Sequence, residues 1–162
     1  MMTPMKTMTF ALAFAILVVT PPAAHAFNLT GTWIGKWSCK GFGGSKFTSD
    51  NKTSTLRLTQ TGNVIAADLD NGDFHYNGAM IADTAKPEKG EAVFLSCGTD
   101  NVPQSGSEAE IIRAAVKTKL GTFKASFKGT SIFESNFGDV GSCKYTFKRR
   151  NTIDPNVVGC PI

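Results

Sequence analysis

In run after run along this chain, apolar side chains occupy every second position. The last run shows it most clearly, with Cys143, Tyr145 and Phe147 alternating with Lys144, Thr146 and Lys148. The first, over residues 29–39, sets Trp33, Trp37 and Cys39 against Thr32, Ile34, Lys36 and Ser38. A period of two puts alternate residues on opposite faces of a β-strand, whereas a helix repeats every 3.6 residues. The first strand therefore carries both tryptophans of the chain into a core.

The runs between them follow the same rule. Leu56 and Leu58 share a face in 53–60, and Ile65, Ala67 and Leu69 do so in 64–70. Phe74 and Tyr76 pair in 73–82, Val93, Leu95 and Cys97 in 91–97, and Phe123, Ala125 and Phe127 in 122–133. Residues 108–119 hold good helix formers, but Ile112, Ala114 and Val116 alternate with charged residues, which favours a strand. Turn residues separate the runs. Asn71-Gly72 matches a two-residue type I′ hairpin, whose central residues both need positive φ. Gly78, inside a run, suggests a bulge. The expected fold is all-β, an antiparallel up-and-down meander of about eight strands. A closed barrel is favoured over a sandwich because closure pairs the first strand with the last and leaves no edge exposed.

The chain begins with an address. Residues 1–26 hold an early Lys6, an apolar run from Phe10 to Val19 and a small-residue end at Ala24-His25-Ala26, the parts of a secretory signal peptide. The apolar run is shorter than the roughly 20 residues a membrane-spanning helix needs. Cleavage between Ala26 and Phe27 would release a secreted or periplasmic protein with no transmembrane segment. It would consist of a β-barrel domain, 27–150, and an extended tail, 151–162. Its length suits one domain.

Export makes disulfides the default for the four cysteines, Cys39, Cys97, Cys143 and Cys160. Two pairings fit two folds. Cys39–Cys143 with Cys97–Cys160 suits a barrel, in which the first and last strands meet. Cys39–Cys97 with Cys143–Cys160 suits a sandwich. The barrel pairing is preferred.

Gly31-Thr32-Trp33 resembles the G-x-W signature on the first strand of lipocalins and avidin-like (calycin) barrels. In that group a late arginine packs over the tryptophan, and Arg149, inward in parity after Phe147, matches it. Two departures limit what the resemblance implies. The chain carries no threonine-aspartate-tyrosine motif or helix after the barrel, and no match to the biotin-binding residues of avidin. It implies a small barrel and names no ligand. Small periplasmic protease inhibitors of the avidin-like type are similar in size and opening.

The chemistry is sparse. His75 is the one histidine after the signal, and it sits beside a hairpin, so no Ser-His or Cys-His arrangement is placed. Phosphate-loop, Rossmann and H-E-x-x-H patterns do not occur. Asp68, Asp70 and Asp73 surround the Asn71-Gly72 turn and form a weak metal candidate, but their order departs from the EF-hand loop. These observations point to a non-enzymatic binding module with no cofactor. Its candidate ligand residues are Trp37, Phe42, Phe74 and Tyr76. The alternatives are an interaction or protease-inhibitor-like protein and, last, a carboxylate-based enzyme.

Charge gives the clearest positive signal. Lys117, Lys119, Lys124, Lys128, Lys144 and Lys148 share the outward parity of the last three strands, and closure adds Lys36. Such a wall suits an anionic surface or an acidic exported protein. The aromatics of those strands face the other way, so stacking on nucleic acid is disfavoured.

Overall fold

Alternation buries one face of every strand when the sheet closes on itself, and here it does. A computed structural model of the chain describes residues 28–42, 53–70, 72–83, 85–86, 88–97, 109–119, 122–134 and 138–160. Its strands are β1 (Gly31–Gly41), β2 (Ser54–Thr61), β3 (Val64–Leu69), β4 (Phe74–Ala82), β5 (Lys89–Ser96), β6 (Ala109–Thr118), β7 (Ala125–Glu134) and β8 (Val140–Arg149). They pair in sequence order, all antiparallel, and β8 returns to β1 to close the barrel. The segment around Glu110 is a strand, as its alternation requires.

Closure runs along a continuous seam. β1 and β8 pair from Trp33 opposite Arg149 to Gly41 opposite Gly141. Cys39 faces Cys143 within that ladder and is bonded to it, with 3.9 Å between their Cα atoms. At the start of the seam the Gly31 backbone has φ near 137°, and the Asn151 carbonyl fills the space a Cβ would occupy. A side chain at Gly31 would have to displace the backbone of Asn151 and Thr152 just after β8, so glycine is required here.

The side chains of the described residues pack the interior closely. Trp33, Leu29 and Leu58 plug the end where β1 begins, and the Trp33 indole donates to the Leu29 carbonyl at 3.0 Å. Above them Phe94, Phe127 and Phe147 form a chain of ring contacts with centroids 5.8 and 6.1 Å apart. The void among these side chains is about 10 Å³, roughly the room one water needs. Arg149 lies 5.5 Å over the Trp33 ring. It donates to the carbonyls of Phe123 and Asn28, and burial lowers its pKa from the usual guanidinium value.

Four local expectations are corrected. Leu69 and Phe74 pair across a four-residue connection with positive φ at Asp70 and Gly72, so the turn is not a two-residue Asn71-Gly72 hairpin; Asn71 lies outside the described residues. Gly78 is paired without a bulge, and the Phe94 ring and Val93 carbonyl occupy the space beside its Cα. Phe123 precedes β7 and is exposed rather than buried. In β5, Val93 and Leu95 face outward while Ala92 and Phe94 fill the core.

After β8 the chain crosses the outside of β2–β4. Asp154 accepts from the Thr59 hydroxyl and Asn156 N–H, Val157 N–H donates to the same hydroxyl, and Cys160 is bonded to Cys97. The Thr59 hydrogen bond, then the one from Asn156, holds the Asp154 carboxyl below its usual range. The expected signal peptide, residues 1–26, lies outside the described residues. Among those described, no helix is long and apolar enough to cross a membrane.

The seam bridge closes a 104-residue separation, for which chain entropy suggests a contribution of about 4 to 5 kcal/mol. The paired variant Cys39→Ser with Cys143→Ser should lose stability of that order in urea unfolding. Cys97→Ser with Cys160→Ser should instead expose the tail after Arg150 to protease while leaving the barrel folded.

Candidate functional site

The barrel has two unlike ends. At one, the connections β2–β3, β4–β5 and β6–β7 surround the Trp33 plug. At the other, the longer connections, 42–53 and 97–108, leave the same rim as the β3–β4 and β7–β8 turns. Strand direction brings Trp37, Phe42, Phe74 and Tyr76 to this second end, because β1 finishes there and β4 starts there. Trp37 and Phe74 meet edge-to-face, with centroids 6.2 Å apart. Phe42 is exposed just past β1. Tyr76 is buried below the rim.

Tyr76 leads to a group the alternation pattern did not single out. Its hydroxyl donates to Glu110 Oε2 at 2.9 Å, while the hydroxyls of Ser131 and Tyr145 donate to Glu110 Oε1. Glu110 is only 4% exposed. A buried carboxyl is costly unless its oxygens are hydrogen-bonded, and these four residues draw β4, β6, β7 and β8 together. The signal was present in the sequence: Glu110 has the inward parity of Ile112 and Ala114. Because both oxygens are engaged and the adjoining void holds about one water, the cluster serves the barrel's interior.

The acidic residues near the β3–β4 turn go to different partners. Asp70 accepts from the Trp37 indole at 3.0 Å, the Ser54 hydroxyl at 3.3 Å and the Thr55 N–H at 3.2 Å. It therefore fastens the turn to β1 and β2. Asp68, on the outer face of β3 but buried, forms a two-pronged pair with Arg57 at 2.7 and 2.5 Å, which raises the Arg57 pKa. Asp73 is exposed. Among the described residues no three His, Cys, Asp or Glu side chains converge as metal ligands. His75 lies opposite Asp68, half-buried, and its Nδ1 has no hydrogen-bond partner.

All seven predicted lysines are exposed. Lys36, Lys117, Lys128, Lys144 and Lys148 lie on the outer wall formed by β6, β7, β8 and β1. Lys119 and Lys124 fall at the β6–β7 turn, joined by a backbone hydrogen bond from Lys119 N–H to the Lys124 carbonyl. Lys36 and Lys128 flank Thr146, and Lys117 and Lys148 flank Ser126. Across these lysine rows the outward charge is the reverse of the apolar band that a membrane-spanning barrel turns to lipid.

Comparison with protein-family models, curated proteins and solved structures finds no match for this chain. Tyr76→Phe should cost about 1 to 3 kcal/mol in chemical unfolding, because it leaves Glu110 short of a donor in a buried site. Unchanged stability would show that the cluster does not hold the strands together.

Proposed function

We propose that this chain is an exported, non-enzymatic binding module that engages its partner on the outside of the barrel. The observation that carries this reading is the packed core of the described residues, where the void between Phe94, Phe127, Phe147 and their neighbours, about 10 Å³, is far smaller than the few hundred Å³ of a typical ligand pocket. The thiols and the buried carboxyl are already committed. All four cysteines are bonded, and the Glu110 carboxyl accepts from three hydroxyls. Two disulfides point to an oxidising compartment. The sequence of residues 1–26 supports export by a signal peptide cut between Ala26 and Phe27, to the periplasm or the medium. The weak calycin-like resemblance fits the barrel, but its usual use as a ligand cup does not carry over to so full an interior.

A second reading is an inhibitor-like protein that presents its loop-rich rim to another exported protein. The Trp37–Phe74 pair favours it, because aromatic side chains at a rim are common anchors in protein interfaces.

Native mass spectrometry of the exported protein checks the main reading. The expected result is the mass of residues 27–162 with two disulfides and no retained small molecule. A stoichiometric small ligand that is lost only on unfolding would overturn it.

A further inference from the structure

The outer wall of β5–β7 carries aliphatic side chains where solvating ones would be expected. The strand register sets Leu95 opposite Ile111 and Ile111 opposite Ile132, so the three form a row across the wall. They are 56%, 59% and 64% exposed, and Val140 extends the strip to the rim at 39%. A shallow open groove of about 570 Å³ lies along it.

The neighbouring row on the same wall is Arg113, Thr130 and Lys144. The next holds Lys128 and, across Thr146, Lys36; Lys117 and Lys148 follow. Among the described residues three carboxylates, Glu91, Glu134 and Asp139, lie on or beside this wall, Asp139 next to Val140. Glu91 is already paired with Arg113 at 2.7 Å, and Glu134 stands at the rim. The surface is thus an aliphatic strip bordered by a broad field of lysines.

Its composition selects the occupant. A second copy would bring one lysine field against another, and like charges facing across an interface repel. Nucleic acid would need outward aromatic platforms, but Phe127, Tyr145 and Phe147 of these strands are buried. The cores of protein interfaces are rich in aromatics and arginine and poor in lysine, and this wall has the opposite balance. Dispersed lysines beside aliphatic side chains suit a surface that is itself dispersed, with anionic headgroups over hydrocarbon.

We infer that this wall docks on an anionic lipid bilayer. Leu95, Ile111 and Ile132 enter the interfacial layer, while Lys128 and Lys144 sit over the headgroups. The inference rests on the reading that the barrel binds with its outside, and it names the partner.

The test is co-sedimentation of the mature protein with vesicles of phosphatidylcholine, alone or mixed with phosphatidylglycerol. Binding is expected to the mixed vesicles and to weaken with added salt. Each lysine removed should lower partitioning about fivefold, so Lys128→Gln with Lys144→Gln should lower it by more than tenfold. Ile111→Ser with Ile132→Ser should also weaken it, whereas Ile153→Ser, on the exposed tail, should not. These positions are all exposed, and an unchanged tryptophan spectrum would confirm that each variant is folded. Equal binding to both vesicle types, or none to either, would overturn the inference. So would a stoichiometric protein partner lost with the same wall variants, although that result would leave binding on the outside intact. A small molecule held inside the barrel would instead defeat the underlying reading.

Discussion

The β1–β8 ladder is the constraint on which the rest of the molecule depends. Without it the sheet would have two exposed edges, and the inward faces of eight strands would have no common interior. The seam is reinforced at both ends by different means. Near the rim, Cys39 is bonded to Cys143 directly across the ladder. At the other end, Arg149 lies over Trp33 and reaches the carbonyls of Asn28 and Phe123, tying the segments before β1 and β7 to the end of β8. Gly31 lets the Asn151 backbone approach β1 as the chain leaves the seam.

Once the sheet is closed, side-chain size decides what the barrel can do. Trp33, Phe94, Phe127 and Phe147 occupy the space in which a roomier barrel would hold a ligand. The polar cluster around Glu110 sits above them, and its hydroxyl donors satisfy a carboxyl that apolar packing alone could not accommodate. The surfaces open to a partner are therefore the rim and the wall. The rim offers the Trp37–Phe74 pair, and the wall an aliphatic row beside lysines.

The sequence made the architecture legible where one face of a strand was apolar and the other charged. In β8, Cys143, Tyr145 and Phe147 alternate with Lys144, Thr146 and Lys148, so the inward set has no competitor. The shared parity of Cys39 and Cys143 likewise pointed to the seam bridge. In β5 the run Ala-Val-Phe-Leu is apolar on both faces, and local pattern cannot say which face is buried. Phe94 settles it by packing on Phe127, a contact between strands far apart in the chain. The outward Leu95 was thus concealed by its own neighbours. Glu110 was concealed for a different reason. Glutamate is rarely buried, and its hydroxyl donors come from positions 76, 131 and 145, which the fold alone brings together. The β3–β4 turn also escaped local reading, because Asp70 takes the left-handed conformation while its carboxylate is anchored to Trp37, Ser54 and Thr55.

Native-state hydrogen exchange along β1 and β8 tests closure most directly. The hydrogen-bonded amides from Trp33 to Gly41 and from Gly141 to Arg149 should exchange only through global unfolding, as slowly as those of β7. Rapid, edge-like exchange along β1 or β8, with β3–β6 still protected, would show that the sheet is open and that no closed seam exists.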